Sequence, residues 1–392
     1  MKYHSQVTAW DIRNAHIIVR ADLNVPIFNN TIMSDLKLKA LQPTLDYLIS
    51  QGCIITLLTH IGNPKNSDPA LSTRILLSWF EKKEYTVVFA ETVTSIPRII
   101  EEVSEGTIIL CENMRFFKGE KEESFDFAQK LKQCGDFYIN DGFPCMHRKE
   151  TSITLLPKFF VPEKKSIGFY TEQELRELDA FIATIKKPFV CIVGGKKISS
   201  KLPFLFELLD KDIDTLVICP AIVFTVLKAQ HVPVGKSLVN DDLIDSCHDL
   251  MKKAQEKKVD IILPADFVIS CNGFEPPYEI VNANAIPHDG IGISIGPHTN
   301  TSLEQVLGNA HTIIYNGAMG FLEKPDSLNG MHQLLQTIAH SNANTLIAGG
   351  DSAASTYYFG MQHSFTHISL GGGATLFYLL HRTLPALQAL NK

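Results

Sequence analysis

The sequence lacks the short motifs that identify several large classes of protein. Its eight cysteines form no CxxC pair and no His-rich spacing, so neither a zinc site nor a dithiol redox centre is indicated. No GxGxxG follows the first apolar run, which argues against a dinucleotide-dependent dehydrogenase. The GxxxxGK[ST] spacing of a Walker A loop is absent as well. These absences argue against a zinc site, a dithiol redox centre, a dinucleotide-dependent dehydrogenase and a Walker A nucleotide site.

Long apolar runs and excess positive charge are also missing. No run of about 18 apolar residues is present and the N-terminal stretch is too polar for a signal peptide, so we expect a cytoplasmic protein with no membrane partner. The net charge of −6 argues against nucleic-acid binding through bulk charge. With 392 residues, 45% hydrophobic and 20% charged, the chain has the composition of a globular protein, and its length suggests two domains.

Short apolar runs recur at a spacing typical of strands alternating with helices. Because they are nearly continuous rather than alternating with polar residues, they predict parallel strands covered on both faces. The fold class predicted is therefore α/β, with doubly wound, Rossmann-like parallel sheets. The eleven runs are His16–Arg20, Cys53–Thr59, Thr86–Phe89, Thr107–Cys111, Asp136–Ile139, Phe189–Val193, Thr215–Ile218, Asp260–Leu263, Thr312–Tyr315, Thr345–Ala348 and Thr366–Leu370.

An amphipathic segment divides these runs into two sets. Residues 171–188 begin with a Thr-x-x-Glu capping pattern and end at a proline, which predicts a connecting helix. We expect an N-terminal domain over 1–170, this connecting helix, a C-terminal domain over 189–374, and a final segment over 375–392.

Two apolar runs near the C-terminus end in glycines and continue into small, helix-forming residues. The first leads into Gly349, Gly350, Asp351 and Ser352, and the second into Gly371 to Gly373. A strand that runs through glycines into a helix N-terminus can bind a phosphate with backbone N–H groups, and an adjacent Asp can hold Mg²⁺. One such turn could equally be a packing turn, but two in tandem favour a nucleoside-triphosphate site.

Further phosphate-binding candidates follow other C-terminal strands. Gly194 and Gly195 precede Lys197 and Lys201, which share a face if a helix begins there, although a solvated basic face would look the same. The stretch 315–323 contains Gly320 and ends in Glu323, so it could line a base-and-ribose pocket or be an ordinary loop.

The N-terminal strand ends carry basic side chains in an otherwise acidic protein. They are Arg20, His60, Arg115, His147 and Arg148. Because ligands of parallel sheets gather at the carboxyl ends of strands, these residues predict a site for a small anion. Each one alone could instead be a surface ion-pair partner.

Taken in order, these motifs resemble those of phosphoglycerate kinases along nearly the whole chain. The matching stretches are VRADLNVP (19–26), THIGNP (59–64), CENMRFFKGE (111–120), INDGF with HR (139–148), GGKKISSK (194–201), FTVLKA (224–229), GKSL (235–238), ILPAD (262–266), YNGAMG (315–320), AGGDSAA (348–354) and SLGGGA (369–374).

The resemblance implies two α/β domains joined by a hinge helix, with an active-site cleft between them and hinge closure during the reaction. It also implies that the final segment, 375–392, returns towards the N-terminal domain. It implies reversible phosphoryl transfer between ATP and 3-phosphoglycerate, giving ADP and 1,3-bisphosphoglycerate in glycolysis, by a monomer that uses Mg²⁺. Catalysis would depend on positioning and charge neutralisation, without a covalent enzyme intermediate.

The resemblance also implies roles by position. The acid would be bound by Asp22, Asn24, Lys37, His60, Asn63, Arg115 and Arg148. Catalytic groups would be Lys37, Lys197, Lys201, Gly350 and Gly373, with backbone N–H groups of Gly350 and Gly371 to Gly373 stabilising the phosphoryl oxygens. The nucleotide would be bound by Gly195, Lys201, Gly320, Glu323, Gly349, Gly350, Asp351 and Ser352, and Mg²⁺ by Asp351.

Several positions depart from the family pattern. Lys37 and Asn63 replace arginines, Glu150 replaces the second histidine of a His-Arg-x-His pattern, and Cys219-Pro220-Ala221 replaces a glycine triplet. Ala318 and Ser294 replace a proline and an aspartate. These changes leave two alternatives to a diverged kinase of this family: a phosphotransferase for another small acid, or a non-catalytic descendant that binds nucleotide or a protein partner. Retention of Lys197, Lys201 and Asp351 argues against the last.

Overall fold

The computed structural model describes residues 4–196 and 198–391, and the chain forms two compact units. The first unit runs to Asp179 and also includes the chain from His381 onward, whereas the second spans Ala180–Leu380. Helix bounds in chain order are α1 Leu36–Ser50, α2 Leu77–Lys82, α3 Ile96–Glu102, α4 Lys118–Lys121, α5 Phe125–Lys132, α6 Phe169–Ala183, α7 Ile198–Leu208, α8 Ile222–Ala229, α9 Ile244–Lys257, α10 Pro297–Gly308, α11 Asn329–His340, α12 Gly350–Tyr358, α13 Gly373–His381 and α14 Pro385–Leu390.

The first unit contains a six-stranded parallel sheet and a two-stranded hairpin. Strand bounds are β1 His16–Ala21, β2 Ile27–Phe28, β3 Thr31–Ile32, β4 Ile54–Leu58, β5 Val87–Ala90, β6 Ile108–Cys111, β7 Phe137–Asp141 and β8 Lys165–Ile167. The sheet order is β5-β6-β4-β1-β7-β8, and β2 pairs with β3. Strand β1 therefore lies in the interior of the sheet, between β4 and β7.

The second unit contains a six-stranded parallel sheet and a separate three-stranded antiparallel sheet. Strand bounds are β9 Phe189–Gly195, β10 Thr215–Ala221, β11 Asp260–Ile262, β12 Asp266–Ser270, β13 Glu279–Asn282, β14 Ile291–Ile295, β15 Thr312–Asn316, β16 Asn344–Ala348 and β17 His367–Ser369. The parallel sheet has the order β11-β10-β9-β15-β16-β17, and the antiparallel sheet has the order β13-β12-β14.

The continuous apolar runs form strands because both faces of each parallel sheet are buried. Along β1, Ile17 and Val19 belong to one buried cluster, whereas Ile18 belongs to another on the opposite face. Successive side chains of a strand point to opposite faces, so a strand covered on both sides needs apolar residues at nearly every position.

The predicted fold class is confirmed, with two parallel-sheet α/β units. The eleven apolar runs account for eleven of the twelve strands in the two six-stranded sheets. Strand β8 was missed because it is short and begins with Lys165, whose buried ammonium donates to the carbonyl of Pro157 at 3.2 Å. The antiparallel sheet was missed as well, since most residues of β13 are exposed and carry no apolar run.

Helix α6 lies in the segment predicted as the connector and begins beside the buried carboxylate of Asp141. One oxygen of Asp141 accepts from the backbone N–H of Thr171 at 2.8 Å, and the other accepts from the Thr44 hydroxyl at 2.6 Å. This carboxylate therefore joins the end of β7 to the first turn of α6 and to α1. No helix among residues 4–196 and 198–391 is both long and apolar enough to cross a membrane.

We predict that Asp141 gives the first unit a specific pH dependence. Burial raises the pKa of Asp141 to about 6, above the ordinary aspartate pKa of about 3.9 in an unfolded chain. Between these values the folded state holds a proton that the unfolded state loses, so this group lowers stability as the pH rises from about 4 to about 6. Asp141→Asn removes that component, and the free energy of unfolding of the variant relative to wild type should rise by about 3 kcal/mol across this range.

Both tryptophans, Trp10 and Trp79, lie in the first unit, so urea unfolding followed by tryptophan fluorescence reports on it selectively. Asp11→Asn, at an exposed position of the same unit, serves as the control and should give a curve parallel to that of wild type. A constant difference between Asp141→Asn and wild type from pH 4 to 7 would contradict the prediction.

Candidate functional site

In the first unit, polar and charged side chains follow the carboxyl ends of β1, β4, β6 and β7. Asp22 follows β1, His60 follows β4, Arg115 lies in the short turn after β6, and Glu150 comes nine residues after β7 ends at Asp141. Because β1, β4, β6 and β7 are parallel neighbours in the sheet, these residues meet at one edge.

Asp22 and Lys37 form an ion pair at this edge. The Lys37 ammonium lies 2.8 Å from Asp22 Oδ1, and the two side chains are 15% and 6% exposed. Burial would raise the pKa of Asp22, but the charge and hydrogen bond of Lys37 outweigh it, and the pKa lies well below its usual range. Asn24 joins the same edge by accepting a hydrogen bond from the Gly62 N–H at 2.8 Å. Lys37 is thus already neutralised by a protein carboxylate.

Arg20 is fully buried beneath this edge and is surrounded by acceptors. Its guanidinium donates to the Ser152 hydroxyl at 2.7 Å and to the carbonyl of Ala21, and it lies 3.3 Å from His60 Nδ1. Burial opposes its charged form, but Cys145, Glu120 and other neighbouring acidic groups outweigh this and raise its pKa. Arg20 therefore stabilises the site from below.

Arg115 is also buried and is held at both ends of its guanidinium. Nη1 donates to the carbonyl of Gly62 and Nη2 donates to Glu150 Oε1, each at 2.7 Å. The second oxygen of Glu150 lies 3.7 Å from Nη2 of Arg20, so one carboxylate bridges the two arginines. Sequence reasoning noted Glu150 only as a departure from a histidine and did not recognise it as the counterion of Arg20 and Arg115.

The two histidines do not add positive charge at neutral pH. Burial lowers the pKa of His60 well below its usual value, and burial together with the Arg148 charge lowers the pKa of His147 to about 4. The expectation of five converging cations is therefore reduced to three arginines, of which Arg148 is exposed. Asn63 is exposed as well, outside the buried network.

Glu120 is a second buried carboxylate that sequence reasoning missed. It accepts from the Ser152 hydroxyl at 2.5 Å and from the Ser152 N–H at 2.9 Å, and burial raises its pKa to about 7. No local sequence signal marks it, because it lies on the short helix α4, and only the fold brings that helix beneath Arg20.

In the second unit, the glycines at strand ends allow backbones to approach closely. A Cβ atom on Gly194 would lie 2.7 Å from the carbonyl oxygen of Pro220, and one on Gly317 would lie 2.3 Å from the carbonyl oxygen of Gly194. Gly317 also has φ +123, a conformation that favours glycine. The ends of β9, β10 and β15 therefore meet without side chains between them.

The Lys201 ammonium lies over these strand ends. It donates to the carbonyl of Gly194 and is 3.5 Å from the carbonyl of Asn316. Gly195, with φ +98, faces the same ammonium, since a Cβ there would lie 3.2 Å from Nζ. A positive charge is thereby placed at the glycine-rich edge, as a phosphate site requires. Lys197, expected on the same face, lies outside the described residues.

The two tandem glycine loops come together at the same sheet edge. A Cβ on Gly349 would lie 3.8 Å from the Cα of Gly372, and the two helices that follow, α12 and α13, begin at Gly350 and Gly373. Ser352 Oγ accepts from the Gly317 N–H at 3.0 Å, which ties α12 to the end of β15. Two helix N-termini with glycine backbones form the arrangement expected of an anion site.

Asp351 is exposed in the first turn of α12, where its carboxylate can contribute one oxygen ligand to a hard cation. No group of three or more His, Cys, Asp or Glu side chains forms a metal centre within residues 4–196 and 198–391. An Mg²⁺ ion held mainly by phosphate oxygens, with one protein carboxylate, fits this donor set.

The remaining nucleotide-site candidates surround the turn after β15. Gly320 has φ +72 and packs against the Ser327 backbone, and Glu323 is exposed beyond it. The Lys196 ammonium lies 4.9 Å from the centroid of the Phe321 ring. A depression of about 450 Å³ beside the end of β10 is lined by Lys196, Ile198, Ser199, Ala221, Ile222 and Leu238, with acidic residues at 241 and 242 beyond them.

Comparison with known proteins gives one consistent result. A family model described as phosphoglycerate kinase matches residues 7–381. Among similar proteins, the phosphoglycerate kinase of Aquifex aeolicus is 35% identical over 386 residues, covering 97% of this chain and 96% of that protein. The cytosolic phosphoglycerate kinase of Nicotiana tabacum is 35% identical over 389 residues, with the same coverage of both chains. The structure of phosphoglycerate kinase from Pyrococcus horikoshii aligns with a TM-score of 0.85 at 26% identity, covering 99% of this chain and 98% of that one.

We predict that Lys37→Met destabilises the first unit by about 3 kcal/mol at pH 7, because it leaves a buried carboxylate without its cation. Urea unfolding followed by tryptophan fluorescence measures the loss. In wild type Lys37 holds the pKa of Asp22 well below its usual range, so Asp22 stays ionised at pH 4. In Lys37→Met burial is no longer offset by this cation, so the Asp22 carboxyl takes up a proton as the pH falls toward 4 and the deficit should shrink. The double variant Asp22→Asn, Lys37→Met should recover part of the loss, and additive losses in the double variant would show that the pair is not coupled.

Proposed function

The chain belongs to the phosphoglycerate kinase family, and from that membership we propose that it transfers a phosphoryl group reversibly between ATP and 3-phosphoglycerate. The products in one direction are ADP and 1,3-bisphosphoglycerate, as in glycolysis. The observation that carries the proposal is the family match over residues 7–381, and the candidate anion site at a strand edge of each unit supports it. We also infer a monomeric state and a cytoplasmic location, of which the location agrees with the cytosolic name of the Nicotiana relative.

The acid is proposed to bind at the basic strand edge of the first unit. Asp22 and Asn24 can accept or orient hydroxyl groups, while Lys37, Arg115 and Arg148 supply positive charge toward the anionic ends of the acid. His60, being neutral, contributes a hydrogen bond rather than charge. Asn63 adds a neutral amide at the exposed side of the edge.

The nucleotide is proposed to bind at the glycine-rich edge of the second unit. Lys201 and the N–H groups at the starts of α12 and α13 would neutralise the phosphates, and Lys197 would contact the phosphoryl group in transfer. Gly195, Gly320 and Gly349 would allow close approach of the backbone, with Ser352 fixing the start of α12 and Glu323 accepting the ribose hydroxyls.

Asp351 would hold the Mg²⁺ ion of the nucleotide. The ion would neutralise negative charge on the phosphate oxygens, and Lys201 would contribute to the same neutralisation. The chemistry asked of the protein is then positioning of the acid and the nucleotide, with electrostatic stabilisation of the phosphoryl oxygens. No side chain is required to form a bond with the phosphoryl group.

The direct test is ADP formation by the purified protein with Mg-ATP and 3-phosphoglycerate. We predict turnover that depends on the acid when the acyl phosphate product is trapped by hydroxylamine, with the resulting hydroxamate measured alongside ADP. Glycerate and other small carboxylic acids form the comparison series. The buried carboxylate of Glu150 is the observation that favours a different acid. Turnover with such an acid and not with 3-phosphoglycerate would identify the protein as a phosphotransferase of altered specificity, and ADP formation with no acid at all would contradict both proposals.

We predict that Lys201→Ala weakens Mg-ATP binding at least tenfold, since hydrogen bonds to charged groups contribute about 1.5–3 kcal/mol. Isothermal titration with Mg-ATP measures this, and 3-phosphoglycerate binding to the other unit should not change. Lys257→Ala removes an exposed lysine paired with Asp210 in the same unit and serves as the control. Equal affinities for Mg-ATP in wild type and Lys201→Ala would place Lys201 outside the nucleotide site.

A further inference from the structure

Glu150 occupies the centre of the basic edge in the first unit. Its Oε1 accepts from Arg115 Nη2 at 2.7 Å, and its Oε2 lies 3.7 Å from Arg20 Nη2. The side chains of Glu150, Arg115 and Arg20 are only 8%, 3% and 0% exposed. The three groups therefore form a buried triad in which Glu150 faces both guanidinium groups, and Glu120 lies beneath Arg20 as a further buried carboxyl group.

This triad changes the charge that an incoming anion meets. Arg20 and Arg115 carry two positive charges and Glu150 carries one negative charge, so their sum is +1. Nearby, Lys37 is compensated by Asp22 at 2.8 Å. The carboxylates of Glu150 and Asp22 thus lie beside the cations that would attract an anionic acid. Among the described residues, the exposed Arg148 has no carboxylate at hydrogen-bond distance.

The triad also leaves donor capacity in place. Within the described part of the chain, Arg115 Nε is a buried nitrogen without a hydrogen-bond partner, and Glu150 Oε2 makes no hydrogen bond although it faces Arg20. Arg115 is therefore held by Gly62 and Glu150 without using all of its donors. Glu150 therefore has two effects on Arg115: it fixes the orientation of the guanidinium, and it partly cancels its charge.

We propose that Glu150 is a resident counter-anion that positions Arg115 and sets the affinity and charge preference of the acid site. It holds the arginines in a fixed arrangement before the acid binds, and it weakens the attraction for strongly charged acids such as phosphorylated ones. The proposal deepens the proposed function and rests on it, because it treats this edge as the acid site.

Replacement of Glu150 by glutamine separates its two effects. The glutamine side chain keeps an oxygen that can accept from Arg115 Nη2, whereas the negative charge is lost. If Glu150 acts as a counter-anion, the site becomes more positive and binds dianions more tightly. If it acts only as a structural support, the weaker hydrogen bond loosens Arg115 and binding becomes weaker or stays the same.

The experiment is isothermal titration of wild type and Glu150→Gln with sodium sulfate and with 3-phosphoglycerate, at low and at high ionic strength. We expect each of the two anions to bind about tenfold more tightly to the variant at low salt, and this gain to shrink at high salt because the charge difference is screened. In steady-state assays the variant should have a lower KM for the acid, a smaller change in kcat and an unchanged KM for Mg-ATP.

Glu174→Gln is the matched control, since Glu174 is a buried glutamate of the same unit that accepts from the Tyr170 hydroxyl at 2.9 Å. It should bind sulfate as wild type does. Glu150→His is a second neutral variant, and it introduces the residue of the family pattern at this position. It should also make sulfate bind more tightly. It provides the same test if the glutamine variant does not fold.

The outcomes separate this proposal from the proposed function. Equal or weaker sulfate binding by the folded neutral variants would overturn the role of Glu150 even if the protein phosphorylates 3-phosphoglycerate. Tighter sulfate binding by a protein that does not phosphorylate 3-phosphoglycerate would retain the counter-anion role and refute the assigned reaction.

Discussion

The first unit depends on keeping one fully buried guanidinium charged and hydrogen-bonded. Arg20 lies on an interior strand of the parallel sheet, where an unpaired charge would be very unfavourable. Its partners come from distant parts of the chain: Ser152 at 2.7 Å, His60 at 3.3 Å and Glu150 at 3.7 Å. Glu120 supports the same arrangement through Ser152. Satisfying this charge therefore brings α4, the turn after β4 and the segment after β7 to one place.

The second unit builds its candidate site by different means. There the decisive constraint is close approach of backbones, with Gly194 against Gly317 and Gly349 against Gly372. A side chain at Gly194 or Gly317 would collide with the neighbouring backbone, and one at Gly349 or Gly372 would be strained by the positive φ of these residues. The edge therefore presents N–H groups, helix starts and the ammonium of Lys201. An anion site made of fixed dipoles suits phosphate groups of any nucleotide, whereas one made of paired side chains, as in the first unit, can be retuned by single substitutions.

The departures from the family pattern fall in both units. In the first unit, Lys37 and Glu150 are engaged in buried ion pairs, whereas Asn63 is exposed. In the second unit the departures are Cys219-Pro220-Ala221, Ser294 and Ala318. The glycine loops at 349–350 and 371–373 retain the family pattern, because a side chain at Gly349 or Gly372 would strain a backbone that has positive φ.

The sequence by itself determined the two parallel sheets and eleven of their strands, because these follow from local hydrophobic periodicity. It also determined the positions of the glycine loops, because glycines that follow an apolar run are a local signal. It also placed Asp22, His60 and Arg115 at strand ends. Only the tertiary structure decided which of these groups carry charge and which are compensated. The neutrality of His60, the pairing of Lys37 with Asp22 and the bridging of Arg20 and Arg115 by Glu150 depend on burial and on contacts between residues up to 130 positions apart along the chain. No local pattern encodes such contacts, since burial and distance exist only after the strands are paired.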